Sequence, residues 1–453
     1  MISLYDTAMQ KVVPLKTRDL NKVSIYVCGP TVYGPPHLGH GRGVLIYDVL
    51  RRYLEWTGQE VTFVSNITDI DDQIINRANR ENRESSEIAV KCEAIWWEAM
   101  DRIGARRPDH IPHATEYVEQ MVDMITDMVA ADSAYVTSDG VYLAVEKVDG
   151  YGLLAHQSLD SLQEGGGDRS LVGTEKRHPA DFALWKFSKE GEPSWPSPWG
   201  EGRPGWHTEC VAMSLDILGD GFDLHTGGLD LTFPHHENER AQAVALGRPF
   251  AQRWMHHGFV ELEGEKMSKS LGNVKNLLDL TEAYDPRSYR LLLLRSHYRS
   301  PLEITDATML DAEAALARID SFARRTADLN GTPAEELVDQ FRASMDNDLD
   351  TAGSVDLMFR AIREANSALD NGDRDVAAVA AAGAKEIAET LGLTLNDAVD
   401  DVPEDIAALV AARTQARIAK DFAAADQIRD ELTAAGWTVE DSAEGPTARR
   451  LST

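Results

Sequence analysis

Two short segments carry the residue types needed for phosphate chemistry. In the first, His37-Leu38-Gly39-His40, two imidazoles stand three residues apart where a helical pattern begins. Because a helix N-terminus offers unpaired N–H groups and a partial positive charge, this position favours a phosphate ligand. Two imidazoles there can also stabilise charge on a phosphoryl group in transit. A pair of capping histidines explains the same tetrapeptide when it is considered alone.

The second segment is KMSKS, residues 266–270, which lies between two glycines. The ammonium groups of Lys266 and Lys269 can close over a polyphosphate and neutralise the charge that builds on a leaving group. An exposed Lys/Ser loop is the simpler explanation of this segment by itself. Together with the histidine tetrapeptide in a parallel α/β chain, it predicts nucleotide activation.

A third group of residues has the side chains of a zinc site. Cys28, Cys210 and the pair His235 and Glu239 supply two thiolates, an imidazole and a carboxylate. If the PHHENE segment opens a helix, His235 and Glu239 are four residues apart and face the same way. Free cysteines are common in cores and His–Glu pairs cap helices, so spacing alone favours a structural role.

The elements that must position these residues form a βαβ unit. A buried strand at 23–27 is followed by a tight turn, a helix that begins near Gly41, and a second strand at 60–64. This order within fifty residues predicts parallel strands joined by a right-handed crossover. Ligands of such sheets bind at the carboxyl ends of the strands, where Cys28 and Thr68 are expected.

The whole chain predicts an α/β fold: a Rossmann-type catalytic domain with a parallel sheet and an inserted connective subdomain, then an α-helical bundle and a small C-terminal module. Further pieces of the sheet are expected at 216–225 and 254–260. Residues 312 to about 393 have helical periodicity throughout. The predicted boundaries are 1–115 and 199–260 for the split catalytic domain, 116–198 for the insertion, 261–311 for the region around KMSKS, 312–396 for the bundle and 405–453 for the terminal module.

Composition narrows the function classes. The 453 residues leave room for about three domains, and the formal charge of −30 argues against non-specific DNA binding. No apolar run approaches a membrane span, and the first residues lack the features of a signal peptide. Three cysteines are too few for a disulfide framework, so we expect a reducing cytoplasm.

These motifs together resemble the cysteinyl-tRNA synthetases, a family of class I aminoacyl-tRNA synthetases. The likeness runs nearly from end to end and is carried by YVCGPTVYGPPHLGH, NITDIDD, DFALWKFSKEGEPSWPSPWGEGRPGWHTEC, DLTFPHHENE, EKMSKSLGN and AKDFAAADQIRDEL. The resemblance implies catalytic roles for His37, His40, Lys266 and Lys269. It implies ATP contacts at His37, Gly39, His40, Lys266, Ser268 and Lys269. The family's zinc ligands fall on Cys28, Cys210, His235 and Glu239.

The resemblance also implies the substrates and cofactors. It predicts L-cysteine, ATP and tRNA(Cys) as partners, one Zn²⁺ per chain, Mg²⁺ with ATP, and a monomer without DNA or membrane partners. In this family the thiolate of the substrate binds the zinc, so the metal distinguishes cysteine from amino acids that lack sulfur. A hydrophobic pocket alone would separate similar small side chains by only about 1–3 kcal/mol. The predicted substrate-binding residues are Cys28, Gly29, Thr68, Trp206, His207 and Asp230.

The terminal module is expected to bind the anticodon, and the region 261–311 to contact the tRNA stem. The candidate tRNA contacts are Arg417, Phe422, Asp426 and Asp441. The chain departs from the family pattern at Thr226, where a glycine is common, and at 446–449, where Gly-Thr-x-Trp-Arg is more usual.

Three alternatives remain open at this point. A cysteine ligase of the mycothiol pathway resembles the same core and zinc site but joins cysteine to an amino sugar, and such enzymes lack an anticodon-type module. A nucleotidyltransferase would use the histidine tetrapeptide alone, without KMSKS or zinc ligands. A non-catalytic relative would bind ATP without turnover.

Overall fold

The structure is a computed structural model, and it describes residues 2–159, 161, 175–262, 265–266, 275–396, 402–442 and 445–450; the side chains of 265, 266, 440–442, 445, 447, 449 and 450 are outside this description. The chain divides into two compact units. Unit 1 comprises Met1–Leu278, Ser296–Glu303 and Met345–Asp350. Unit 2 comprises Asp279–Arg295, Ile304–Ser344 and Thr351–Thr453.

Unit 1 combines strands and helices. Its strands are β1 (Ser3–Asp6), β2 (Lys11–Pro14), β3 (Lys22–Val27), β4 (Glu60–Ser65), β5 (Ala134–Val136), β6 (Gly140–Leu143), β7 (Phe182–Phe187), β8 (Gly202–Pro204), β9 (Leu224–Gly228), β10 (Arg253–His257), β11 (Val260–Leu262), β12 (Glu265–Lys266) and β13 (Leu302–Glu303). Its helices are α1 (Leu38–Trp56), α2 (Asp72–Glu81), α3 (Ser85–Arg102), α4 (Val118–Ala130), α5 (Trp206–Ile217) and α6 (Glu237–Ala245).

The central sheet of unit 1 has the strand order β10-β9-β3-β4, and every pairing in it is parallel. Strand β3 is buried on both faces, as its continuous apolar sequence requires, and α1 connects it to β4. The predicted βαβ unit is therefore confirmed. Its consequence is that the ends of β3 and β9 and the start of α1 meet at the carboxyl edge of the sheet.

The prediction of a strand at 216–225 is wrong for most of its length. Helix α5 continues to Ile217, and β9 begins only at Leu224. Gly219 and Gly221 between them have φ values of +76° and +66°, so a turn separates the helix from the strand. The strand expected at 254–260 is likewise divided, into β10 and β11.

The stretch 116–198, where an inserted subdomain is expected, contains α4 and the strands β5, β6 and β7. Strands β5 to β8 make an antiparallel sheet in sequential order. Trp185, which is fully buried in β7, shares an apolar cluster with Leu143 of β6 and Met213 of α5. This sheet is consequently packed on the helix that carries Cys210.

Unit 2 is mostly helical. Its helices are α7 (Leu277–Ala283, which begins in unit 1), α8 (Pro286–Leu294), α9 (Asp306–Arg325), α10 (Glu335–Asp346, which ends in unit 1), α11 (Thr351–Asp370), α12 (Arg374–Thr390), α13 (Glu404–Ile418) and α14 (Phe422–Ala434). A hairpin of β14 (Trp437–Ser442) and β15 (Gly445–Arg450) follows. The predicted α-helical bundle is confirmed, and a helix pair with a hairpin forms the small C-terminal module.

Apolar residues at helical spacing hold unit 2 together. Ile319 and Phe322 of α9 and Val355 and Ile362 of α11 are buried. In the terminal part, α13, α14 and the hairpin share a small separate core, made of Ile406, Val410, Leu432, Trp437 and Ala448. None of the helices in the described ranges is long and apolar enough to cross a membrane.

Candidate active site

The histidine tetrapeptide caps helix α1. The Nδ1 atom of His37 accepts a hydrogen bond from the backbone N–H of His40 at 3.3 Å, and Nδ1 of His40 accepts one from the N–H of His37 at 3.2 Å. The two rings stack with their centroids 3.6 Å apart. Because each Nδ1 is an acceptor, the proton of each neutral ring lies on Nε2. Capping therefore leaves both Nε2–H groups as donors.

Both histidines are held in the neutral form. Burial lowers the pKa of His37 to about 4, although the negative charge of Asp230 partly opposes this shift. Burial also lowers the pKa of His40 well below its usual range, and the neighbouring His37 and His257 add to the effect. At neutral pH the pair thus offers hydrogen-bond donors to a phosphate rather than positive charge.

The backbone that follows the KMSKS loop is joined to this tetrapeptide. The N–H of Leu38 donates to the carbonyl oxygen of Lys275 at 3.2 Å, and His37 and Asn276 pair as an isolated antiparallel bridge. On the preceding side, β12 pairs with β11. Ser268 and Lys269 lie outside the described residues, and only the backbone of Lys266 is described.

Four side chains converge where β3, α5 and α6 meet. The ligand atoms of Cys28, Cys210, His235 and Glu239 all lie within 4.8 Å of one another. Cys28 Sγ is 3.4 Å from Glu239 Oε1, and Cys210 Sγ is 3.7 Å from His235 Nε2. His235 Nε2 and Glu239 Oε1, at i and i+4, are 2.7 Å apart. Two thiolates, an imidazole and a carboxylate make a donor set that fits zinc.

Burial and mutual contacts shift the pKa values of all four side chains, and the shifts of Cys210 and Glu239 favour the deprotonated forms that bind a metal. A hydrogen bond with Cys28 lowers the pKa of Cys210 to about 6, whereas burial raises the pKa of Cys28 well above its usual range. Burial lowers the pKa of His235, but the charge of Glu239 and the bonds to Cys210 and Glu239 outweigh it and raise the pKa to about 10. For Glu239, burial raises the pKa, and His235 and His225 more than reverse it.

Three supporting residues were missed by the sequence analysis. His225 Nε2 lies 2.5 Å from Glu239 Oε2, so it orients the carboxylate that faces Cys28. Asn66 Oδ1 accepts the backbone N–H of Gly29 at 2.8 Å. The buried Glu209 accepts a hydrogen bond from Thr68 Oγ1 at 2.9 Å. No residue spacing marks these three side chains in the sequence, where they lie within the segments HTGGLD, NITDIDD and GWHTEC.

A second set of possible ligands overlaps the first. Cys28, His225, His236 and Glu239 also bring one ligand atom each within 4.8 Å. This set has a single sulfur. The set with two thiols suits zinc better because thiolates are its preferred ligands.

The predicted substrate residues surround these two centres. The ring of Trp206 stacks on His235 with centroids 4.0 Å apart, and Nδ1 of His207 is 2.9 Å from Nδ1 of His235. Trp206 is 36% exposed, so one side of this stack faces solvent. Asp230 is exposed and acts electrostatically on His37. This places Asp230 beside the histidine tetrapeptide.

The predicted tRNA contacts lie in the terminal part of unit 2. Arg417 is exposed near the end of α13, and Phe422, the first residue of α14, is 64% exposed. Asp426 forms an ion pair with Arg429 at 3.0 Å. Asp441 lies in β14, and its side chain is outside the described part of the chain.

Comparisons with known proteins define the class. Residues 14–314 match the model of the class I (C) tRNA synthetase catalytic domain. A methionyl-tRNA synthetase of Mycobacterium tuberculosis, solved with methionyl-adenylate, has a similar structure, with a TM-score of 0.63 at 16% identity. The likeness covers 82% of this chain and 90% of that one, and at this identity it concerns the fold alone. The fold and the catalytic-domain match define a class I aminoacyl-tRNA synthetase.

Other matches specify the family. Residues 340–396 match the DALR domain, and 399–449 match the anticodon binding domain of cysteinyl-tRNA ligases. The cysteine–tRNA ligase of Thermodesulfovibrio yellowstonii is 42% identical and covers 97% of both chains. That of Halorhodospira halophila is 43% identical over 99% of this chain and 100% of the relative. The chain belongs to the cysteine–tRNA ligase family and is an enzyme, which confirms the resemblance found in the sequence.

Proposed function

We propose that this enzyme joins L-cysteine to tRNA(Cys) through a cysteinyl-adenylate, with zinc selecting the thiolate of the substrate. The observation that carries the proposal is the convergence of Cys28, Cys210, His235 and Glu239 at the sheet edge from which α1 also starts. A soft-metal donor set and a phosphate-binding helix terminus therefore belong to one compact unit.

The first step forms the adenylate. An oxygen of the cysteine carboxylate attacks the α-phosphorus of ATP, and the bond from that phosphorus to the bridging oxygen of pyrophosphate breaks. The neutral His37 and His40 donate their Nε2–H groups to the phosphate oxygens, while Lys266 and Lys269 neutralise the departing pyrophosphate. Bound Mg²⁺ would add charge neutralisation on the polyphosphate.

The second step transfers cysteine to the tRNA. A ribose hydroxyl of the terminal adenosine attacks the carbonyl carbon of the adenylate and forms the ester bond. The bond from that carbon to the phosphate oxygen breaks, AMP leaves with its electron pair, and the hydroxyl proton passes to the departing phosphate or to water. Positioning and charge stabilisation account for catalysis in both steps, so neither requires a strong general base.

Selection of cysteine is assigned to the four converging side chains. Zinc held by Cys28, Cys210, His235 and Glu239 would supply a soft Lewis acid that accepts a thiolate in preference to a hydroxyl. His225 keeps the Glu239 carboxylate in place, and Trp206 packs against the ring of His235. These contacts restrict how far the ligand atoms can move. The size and softness of the substrate atom that binds the metal would therefore determine which amino acid is accepted.

The proposal is tested by transfer of labelled cysteine to bulk deacylated tRNA with Mg-ATP, with serine as the matched control. We expect stable charging with cysteine and none with serine. ATP consumption that depends on cysteine but charges no tRNA would instead favour the amino-sugar ligase. That alternative is disfavoured by the match of residues 399–449 to an anticodon binding domain.

The zinc assignment is tested by metal analysis of the purified protein. We expect one zinc per chain, lost in Cys210→Ser and retained in Cys92→Ala. Cys92 is the matched control because it is a buried cysteine in a separate apolar cluster with Ile74 and Ile88. Equal zinc content in the two variants would contradict the ligand set, whether or not either variant charges tRNA.

A further inference from the structure

A cleft with an excess of positive charge lies among the helices of unit 2. It has a volume of about 560 Å³ and is lined by residues of α9, α11 and the end of α8. Three guanidinium groups and one carboxylate are among the lining side chains, those of Arg295, Arg318, Arg363 and Asp356. The chain as a whole carries 75 acidic and 45 basic residues, so the positive charge of this cleft is opposite in sign to the net charge of the protein.

Two of these arginines have no ion-pair partner in the part of the chain that the structure describes. Within the described residues, Arg318 and Arg363 form neither an ion pair nor a hydrogen bond, and both are exposed. Other arginines of unit 2 are paired: Arg295 with Asp311 at 2.7 Å, and Arg325 with Asp370 at 2.6 Å. In a chain rich in carboxylates, two guanidinium groups that share a cleft and form no ion pair with a described residue remain available to an external anion.

We propose that this cleft binds phosphate groups of the tRNA backbone. Guanidinium groups match the geometry of phosphate oxygens and can bind them through two hydrogen bonds at once. Because the guanidinium groups are exposed, the cleft suits a polymer that crosses the surface better than a small enclosed ligand. The half-buried ring of Phe359 in the same lining provides an apolar surface against which a ribose or base can pack.

This inference rests on the proposed function, since tRNA must be the substrate. It adds a contact away from the C-terminal residues Arg417, Phe422, Asp426 and Asp441. A strongly acidic protein repels RNA at long range, so its affinity has to come from local sites at which unpaired cations meet phosphates. Arg318 and Arg363 supply such a site.

The test compares the double variant Arg318→Gln/Arg363→Gln with Arg360→Gln. Arg360 is a matched control because it is an exposed arginine on α11 that does not line the cleft. We expect the tRNA KM of the double variant to rise roughly tenfold, and the slope of log KM against log salt to fall by about 2, because two phosphate contacts are lost. The control and cysteine-dependent pyrophosphate exchange should remain at wild-type levels.

Each other outcome overturns the proposal. A double variant with the tRNA KM and salt slope of the wild type excludes the contact, and equal losses in Arg360→Gln show that only the general charge matters. The Arg318→Lys/Arg363→Lys variant should retain the salt slope; if it loses as much as the glutamine variant, charge is not the cause. Weakened inhibition by free pyrophosphate with an unchanged tRNA KM would assign the cleft to a small polyanion. Absent pyrophosphate exchange in the wild type would instead refute the proposed function.

Discussion

Replacing Gly29 with alanine should displace the zinc ligand beside it. A Cβ atom at Gly29 would lie 1.6 Å from the backbone carbonyl oxygen of Asn66 and 2.7 Å from its carbon. An ordinary contact needs 3.4 Å or more, so the two backbone segments must separate by roughly 1.8 Å. Neither segment can rotate away as a flexible side chain would, and the hydrogen bond from Gly29 N–H to Asn66 Oδ1 is strained as well.

The magnitude follows from the sensitivity of catalysis to position. Cys28 directly precedes Gly29 and must move with it. Because a misplacement of about 1 Å can lower a rate about 100-fold, we expect kcat/KM for cysteine to fall at least about 100-fold, or about 2.7 kcal/mol in transition-state stabilisation. Overpacking should also lower the free energy of unfolding by about 1–3 kcal/mol.

The assay is cysteine-dependent exchange of pyrophosphate into ATP, together with the zinc content of each variant. Gly34→Ala is the matched control, since it lies in the same turn and a Cβ there meets nothing within 4 Å. We expect Gly34→Ala to behave like the wild type. The reasoning is refuted if Gly29→Ala keeps full zinc and differs from Gly34→Ala by less than threefold in kcat/KM.

Three further predictions concern the phosphate site and the residues behind it. Lys269→Ala should slow adenylate formation far more than it weakens cysteine binding, whereas Lys275→Ala should change neither; rapid-quench kinetics and equilibrium binding measure the two effects, and equal losses in Lys269→Ala would contradict its role. Because burial lowers the pKa of His37 to about 4, the unfolded chain binds more protons than the folded chain between pH 6.5 and 4, and this contribution to stability decreases as the pH falls. His37→Asn keeps a good capping residue and should therefore lose less stability than the wild type over that pH range. The difference in the free energy of unfolding, measured with urea, should reach up to about 3 kcal/mol, and equal losses in the two proteins would exclude the titration of His37 as the cause. Thr68→Val leaves the buried Glu209 without this hydrogen bond and should lower the free energy of unfolding by about 1–3 kcal/mol, so an unchanged urea midpoint would show that the bond contributes nothing.

The sequence predicted secondary structure correctly where that structure depends on residues close together in the chain. The apolar run at 23–27 predicted β3, and the spacing after Gly41 predicted α1, because burial of a continuous strand or of one helix face requires those patterns. The turn at Gly219 and Gly221 was missed because the apolar residues of 216–225 were assigned to one strand and the two glycines among them were disregarded. The domain boundaries and the roles of Ser268 and Lys269 remain predictions.

The sequence by itself determined which segments carry chemistry and, through its motifs, the family to which the chain belongs. Only the tertiary structure decided that Cys28 and Cys210, 182 positions apart, lie with their sulfurs 3.8 Å from each other. It also revealed Asn66 and His225 as supports, since neither has a ligand spacing that a sequence can display. Spacing reports contacts within one helix or strand, as for His235 and Glu239, whereas contacts between elements depend on how the sheet orders its strands and aims their carboxyl ends.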